Sequence, residues 1–431
     1  MTAALLNDLK ARGLINQATA DEELTSHLES GSCTLYCGFD PTADSLHIGS
    51  LVPLLALRRF QQAGHKPIAL VGGATGLIGD PSFKAQERKL NTPDIVAGWV
   101  EKLKTQVSRF IDFDGANAAE VVNNLDWVGQ MNVLDFLRDV GKHFSVNSMI
   151  QKESVKQRIE REGSGISFTE FTYMLLQSFD FAELAQREAC TLQIGGSDQW
   201  GNIVGGVELA RRMYGKQVFG LTLPLVTKAD GTKFGKTESG TIWLDPAKTS
   251  PYAFYQFWMN TADADVYKFL RYFTFLPVGK VEEIEATDAG IQGRKTAQPV
   301  LAEEVTRLVH GEDALASAKR ITEALFSGDI TQLSETELEQ IKLDGLPSSD
   351  LDNTSLADKP LTSVLSEAGL GQGKQIKDAL GHNAVVVNGI GYGMADLMNG
   401  SQIFAADKAL FGRFFLVKLG KKKYHLFEIA K

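Results

Sequence analysis

Short apolar runs alternate with stretches of helical spacing from Thr34 to about Asp230. The runs Thr34-Leu-Tyr36, Pro67-Ile-Ala-Leu-Val-Gly72, Thr191-Leu-Gln-Ile-Gly-Gly196 and Leu221-Thr-Leu-Pro-Leu-Val226 read as strands buried on both faces. Between them, Leu51, Leu54, Leu55 and Leu57, then Val133–Val140 and Phe168–Phe181, follow helix spacing. This alternation predicts an α/β fold: a Rossmann-like, doubly wound parallel sheet with helices on both faces.

After Ser250 the pattern changes. Tyr255, Trp258, Met259, Val266, Phe269, Leu270 and Phe273, then Val300, Val305, Leu308 and Val309, keep helix spacing with no strand signal between them, so a helical domain is expected. Residues 345–360 are polar and Pro-bounded and read as a flexible linker. From Leu361 to Lys431 two helical patterns precede Ala384-Val-Val-Val-Asn-Gly389, a strand closing on an Asn-Gly turn. Strand-like Phe414-Phe-Leu-Val417 and Tyr424-His-Leu-Phe427 flank the run Lys421-Lys-Lys423. A small α+β domain is predicted there.

The bulk numbers fit this division. A chain of 431 residues suits two or three domains, and 43% hydrophobic with 23% charged residues is globular composition. No apolar run reaches the roughly 18–20 residues of a membrane span. Met1–Gly13 mixes Leu5, Leu6 and Leu9 with Asp8, Lys10 and Arg12, an amphipathic helix and not a signal peptide. Cys33, Cys37 and Cys190 lack metal-ligand spacing, so a cytoplasmic protein without disulfides or bound metal is expected. The net charge is −9, but residues 361–431 hold nine basic and five acidic residues, a local +4 that leaves −13 on residues 1–360. A basic end on an acidic body fits an RNA footprint as well as a solvated face.

The candidate chemistry begins where the first strand ends. Tyr36-Cys-Gly-Phe-Asp-Pro-Thr passes through a turn and brings His47-Ile-Gly-Ser50 to the start of a helix. Strand ends facing helix N-termini hold anions in α/β folds, because unpaired N–H groups point at the ligand. Gly72, Gly73, Gly76 and Gly79 allow close backbone approach after the second strand. Lys233-Phe-Gly-Lys-Thr237 is a basic segment among Gly231, Gly235 and Gly240. Tyr173, Gln177 and Asp180 lie at i, i+4 and i+7, so one helix face presents all three. Acceptors and a hydroxyl on one face suit an ammonium as well as a phenol.

His47-Ile-Gly-Ser50 resembles the first signature of class I aminoacyl-tRNA synthetases, and Lys233–Thr237 resembles the second. Gly72-Gly-Ala-Thr-Gly-Leu-Ile-Gly-Asp-Pro-Ser82, Ser167-Phe-Thr-Glu-Phe-Thr-Tyr173 and Gln193-Ile-Gly-Gly-Ser-Asp-Gln-Trp-Gly-Asn202 extend the likeness to bacterial-type tyrosyl-tRNA synthetases, from about Leu35 to Phe326. The tail resembles an S4-type RNA-binding module more faintly. The resemblance implies that Tyr36 and Asp180 grip a phenol hydroxyl, that Asp80, Tyr173 and Gln177 hold the amino group, and that Gln199 positions the carboxylate. It places Asp40, Thr42, His47, Gly49 and Ser50 on ATP, with Cys37, Gly196 and Asp198 at the ribose and Lys84 and Arg88 at the phosphates. His47, Lys233, Lys236 and Thr237 are the implied catalytic groups, acting on phosphate charge. Ser50 departs from the motif, which ends in His in many relatives.

The implied domains are catalytic (1–240), helical on the anticodon side (241–335), linker (336–360) and S4-like (361–431). The implied partners are tRNA(Tyr), L-tyrosine and ATP with Mg²⁺, on a homodimer that needs no protein-held metal or organic cofactor. Lys374, Lys377, Lys421, Lys422 and Lys423 are RNA candidates by charge. Rival readings are a tryptophan-specific relative, against which Tyr36 and Asp180 argue, a synthetase-like protein using another phenol, and an RNA-binding protein that has lost catalysis. A nucleotide-binding dehydrogenase is set aside, since no Gly-x-Gly-x-x-Gly with a later acidic residue is present.

Overall fold

The computed structural model describes every residue except 1, 83–89, 161–164, 233, 238–239, 294, 328–332, 353–355, 357–358, 399, 421–422 and 430–431. At 2–3, 153–154, 236–237 and 326–327 it describes the backbone alone. By contacts the chain forms two compact units, residues 1–248 with 261–301, and residues 249–260 with 302–431.

The first unit is built on a six-stranded sheet. Its strands are β1 (Gln17–Ala18), β2 (Thr34–Phe39), β3 (Lys66–Val71), β4 (Glu120–Asn123), β5 (Cys190–Gly196) and β6 (Phe219–Leu223), in the order β1-β6-β5-β2-β3-β4. β6 through β4 run parallel, and β1 closes one edge antiparallel. The strand order turns back between β2 and β5, where Tyr36 pairs with Gln193. That switch point opens a crevice at the carboxyl ends of both strands. The expected α/β class holds. β6 ends at Leu223, short of the expected Val226, because Pro224 has no N–H to continue the ladder. β4 went unpredicted: four half-buried residues carry little pattern.

Helices α1 (Thr2–Ala11), α2 (Leu51–Gln62), α3 (Phe168–Arg187), α4 (Trp200–Tyr214) and α5 (Asp263–Phe273) position the crevice. Ser167 starts α3 by accepting the Glu170 N–H at 3.2 Å. Val133–Val140 is helical as expected, with Phe136–Val140 widened into a π turn. Two buried arginines fasten α1 and α2 to the end of α5. Arg12 donates to the carbonyls of Arg271, Thr274 and Leu276 at 3.2, 3.4 and 2.7 Å. Arg59 donates to the Thr274 carbonyl and lies 4.5 Å over the Phe275 ring. Burial first, then Arg12, pull the Arg59 guanidinium down to about 9.

The second unit contains α6 (Glu312–Ser327), α7 (Glu335–Leu343), α8 (Leu361–Glu367), α9 (Gly373–Gly381) and a five-stranded sheet. Numbered after a two-residue hairpin in the first unit, β7 (Lys236–Thr237) and β8 (Gly240–Thr241), its strands are β9 (Ser348–Leu351), β10 (Val385–Val387), β11 (Ile390–Tyr392), β12 (Phe414–Leu419) and β13 (Lys423–Ile429). Asn388 and Gly389 join β10 to β11 with φ of 47° and 81°, the left-handed pair an Asn-Gly turn requires. The stretch read as a flexible linker contributes β9, which pairs in parallel with β13 from Leu426 to Ile429. Backbone pairing at a sheet edge holds β9, and polar side chains do not oppose it.

Candidate active site

The crevice holds a pocket of about 170 Å³ where β2 and β5 diverge, lined by Tyr36, Asp40, Thr75, Asp80, Tyr173, Gln177, Asp180, Gln193 and Gln199 among others. A second pocket of about 330 Å³ shares Gly38, Asp40, Pro53 and Gly196 with it and adds Thr42, His47, Gly49, Ser50, Asp198 and Phe234. Every residue expected to hold the amino acid therefore lines the first pocket. Cys37 and Gly196 also line the first, and Thr42, His47, Gly49, Ser50 and Asp198 line the second.

A chain of hydrogen bonds runs behind the first pocket. Trp127 Nε1 and Asn124 Nδ2 donate to the two oxygens of Asp180 at 2.8 and 2.9 Å. Asn124 Nδ2 also donates to Thr75 Oγ1 at 3.0 Å, and Thr75 Oγ1 donates to Asp40 Oδ1 at 2.6 Å. Tyr173 donates its hydroxyl to Asp40 Oδ2 at 2.7 Å. Gln199 Nε2 reaches Asp80 Oδ2 at 2.8 Å, and the Ser82 N–H caps Asp80 Oδ1 at 2.9 Å. Thr75, Asn124, Trp127 and Gln193 were not expected from the sequence. Their one signal was position, just past strand ends or alternating on β5.

Three polar atoms at this pocket have no hydrogen-bond partner among the described residues: Tyr36 Oη, Gln177 Oε1 and Gln193 Oε1. Buried groups of this kind are costly unless a ligand satisfies them. Among the described residues the pocket lining includes Asp40, Asp80 and Asp180 and no Lys or Arg, so it suits a molecule with a cationic group and a hydroxyl. Burial raises the Asp180 carboxyl to about 8, against the Asn124 and Trp127 hydrogen bonds that lower it. Burial, then Asp180, push the Tyr36 hydroxyl well above its usual value. Burial also pushes the Cys37 thiol up to about 12, so it is no nucleophile.

In the second pocket His47 is exposed and caps its own turn, Nδ1 accepting the Gly49 N–H at 3.0 Å. Its backbone meets the segment that follows the second signature. His47 bridges Trp243, the Ile48 N–H donates to the Ile242 carbonyl at 2.9 Å, and the Leu244 N–H donates to the Leu46 carbonyl at 2.9 Å. The Ile242 N–H donates in turn to the Gly235 carbonyl at 3.0 Å. Gly235 has φ of +77°, and a Cβ there would lie 2.5 Å from Ile48 Cγ2. The two signatures are thus laced together through main chain. Lys84, Arg88, Lys233, Lys421 and Lys422 lie outside the described residues, as do the side chains of Lys236 and Thr237. Lys374, Lys377 and Lys423 are exposed in the second unit, Lys423 donating to the Leu370 carbonyl at 3.3 Å. Among the described residues no group of three or more His, Cys, Asp or Glu could hold a metal ion, and no helix is long and apolar enough to cross a membrane.

The chain is similar to known proteins. The family model for class I tRNA synthetases (W and Y) matches residues 28–327. A tyrosine–tRNA ligase of Aliivibrio fischeri (strain MJ11) is 64% identical over 428 residues, 99% of each chain. One from Escherichia coli (strain 55989 / EAEC) is 58% identical over 423 residues, 98% of each. The crystal structure of a C-terminally truncated Aspergillus nidulans mitochondrial tyrosyl-tRNA synthetase superposes with a TM-score of 0.68 at 29% identity, covering 75% of this chain and 94% of that one. The chain belongs to the class I tRNA synthetases of the W and Y family. It is an ATP-dependent ligase that charges tRNA with an amino acid.

The raised Asp180 carboxyl makes a stability prediction. With a folded value of about 8 against an ordinary 3.8, the folded chain keeps a proton that the unfolded chain has lost. This contribution is complete below about pH 4 and fades as pH rises toward about 8. Asp180→Asn removes that part of the decline in urea-unfolding free energy between about pH 5 and 8. A variant with the same decline as the parent would show Asp180 ionised throughout.

Proposed function

We infer that the amino acid is tyrosine and that the chain is a tyrosine–tRNA ligase. The observation that carries this is the buried Tyr36 hydroxyl, without a partner among the described residues, in a pocket it shares with Asp180. A substrate phenol accepts from Tyr36 and donates to Asp180. An indole can only donate, so tryptophan leaves Tyr36 unpaired. The Aliivibrio fischeri and Escherichia coli relatives are tyrosine–tRNA ligases, which supports the same substrate.

In the first step the tyrosine carboxylate attacks the α-phosphorus of ATP, giving tyrosyl-adenylate and pyrophosphate. In the second, a ribose hydroxyl at the tRNA 3′ end attacks the adenylate carbonyl and releases AMP. Asp80, Tyr173 and Gln177 hold the ammonium and Gln199 positions the carboxylate. Thr42, Gly49 and Ser50 line the nucleotide site, with Cys37, Gly196 and Asp198 at the ribose. His47, Lys233, Lys236 and Thr237 stabilise phosphate charge as pyrophosphate leaves, with Lys84 and Arg88 adding cations and Mg²⁺ accompanying ATP. The substrate carboxylate is already a nucleophile, so positioning and electrostatics supply the catalysis.

Residues 361–431 form the RNA-binding end, with Lys374, Lys377, Lys421, Lys422 and Lys423 meeting tRNA phosphates. The enzyme works in the cytoplasm as a homodimer. Val133, Leu134 and Phe168, exposed at 69, 73 and 75%, support a partner face on the first unit. Sedimentation equilibrium reads the dimer directly, and a monomer at micromolar concentration would refute it.

Amino-acid-dependent exchange of labelled pyrophosphate into ATP tests the activity: exchange is expected with tyrosine and not with tryptophan. Lys233→Ala slows single-turnover adenylate formation and leaves tyrosine affinity unchanged. An unchanged rate removes Lys233 from the mechanism. Tyr36→Phe weakens tyrosine binding about tenfold, the worth of one hydrogen bond. Its melting temperature does not fall, since the lost hydroxyl had no partner to give up. A lower melting temperature with unchanged binding would overturn the phenol contact.

A further inference from the structure

The second signature segment is held from a helix outside the nucleotide pocket. α5 meets the segment at three places along one of its faces. Asp265, 3% exposed, accepts the Ala229 N–H at 3.0 and 3.2 Å through its two oxygens. One turn on, Lys268 donates to the Thr227 carbonyl at 2.6 Å and pairs with Asp265 at 3.2 Å. One residue further, Phe269 packs edge-on against Phe234 at 5.0 Å, and Phe273 stacks on it at 5.3 Å and 17°. Positions 265, 268, 269 and 273 share a helix face, so a single rigid element grips the chain on both sides of Lys233 in sequence.

The grip is built to be stiff. A buried carboxylate receiving a main-chain N–H is a charge-assisted bond with defined direction. The far end of α5 is clamped in turn, because Arg12 and Arg59 hold the carbonyls at 271, 274 and 276. Phe234 lines the second pocket, but neither Asp265 nor Lys268 lines either one.

We propose that Asp265 is a positioning residue for adenylate formation, fixing the segment that carries Lys233 and Lys236 to α5 so that their charges meet the leaving pyrophosphate. The proposal rests on the roles given above to those lysines. Misplacing a catalytic group by about 1 Å can cost a hundredfold in rate. Loss of the seat therefore lowers the rate of the chemical step and spares the tyrosine pocket.

The test is single-turnover formation of tyrosyl-adenylate by the full-length protein, with tyrosine affinity measured alongside. Asp265→Ala is expected to slow formation between about 10- and 100-fold with tyrosine affinity unchanged. Asp265→Asn, which keeps an acceptor for Ala229, restores most of the rate. In a Lys233→Ala, Lys236→Ala background, Asp265→Ala adds no further slowing, because the groups it positions are already gone. A role confined to stability would lower the melting temperature and leave the rate of folded enzyme intact, and that result overturns the proposal. Equal slowing in both backgrounds, or parallel loss of tyrosine affinity, overturns it too. If Asp265→Ala does not fold, Lys268→Ala, which removes the bond to the Thr227 carbonyl, loosens the same seat and is held to the same outcomes. A double-lysine variant with full rate would instead refute the lysine roles, and this proposal with them.

Discussion

A carboxylate buried among apolar groups must be given donors, and the site is organised around meeting that demand at Asp180. Trp127 and Asn124 reach it from the end of β4, Asn124 passes the constraint to Thr75, Thr75 to Asp40, and Asp40 to the Tyr173 hydroxyl. Each group in the chain is oriented by the next, so the pocket wall has one arrangement of donors and acceptors. Two donors do not fully offset burial, and the carboxyl stays raised to about 8. A phenol that donates to Asp180 supplies the missing donor and favours the ionised form. The Tyr36 hydroxyl has no partner among the described residues, and a phenol that accepts from it would satisfy both groups. The cost of leaving these two groups unsatisfied is what makes the pocket selective.

The nucleotide side depends on main chain where the amino-acid side depends on side chains. His47 is held by its own turn and by the antiparallel bridge to Trp243, and Gly235 packs against Ile48 with no room for a side chain. Distances between the two signatures are therefore set by backbone geometry, which varies little with temperature or rotamer state. Glycine is needed at 235 for two separate reasons, its positive φ and that contact.

Much of this was legible in the sequence. Apolar runs marked β2, β3 and β5, and the i, i+4, i+7 spacing put Tyr173, Gln177 and Asp180 on one face of α3. What could not be read was whatever depends on long-range pairing. Asn124 and Trp127 sit beside Asp180 only because β4 pairs with β3 in a particular register, and nothing local to residues 120–127 encodes that. β9 was missed for a related reason. Ser348-Ser-Asp-Leu351 has no apolar period, and its strand character comes from the hydrogen bonds β13 offers. β6 was misjudged by a few residues because an apolar run was followed past Pro224. The grip of α5 on residues 227–234 joins segments some forty residues apart and has no sequence signature.

The distribution of charge then explains why the two signatures differ in kind. Asp40, Asp80 and Asp180 line the first pocket. An acidic pocket attracts an ammonium before any chemistry, and repels the phosphates of ATP from the wrong end of the crevice. Fixed cations there would cancel that discrimination. In the proposed mechanism the cations that act on the leaving pyrophosphate come instead from the stretch that holds Gly231, Gly235 and Gly240 in sequence. Stabilisation confined to the transition state raises the rate without tightening ground-state binding. Such a segment needs a firm seat at its base, because a free lysine is as often misplaced as placed. On the proposal made for Asp265, that seat is its bond with the Ala229 N–H together with the rings of Phe269 and Phe273 against Phe234.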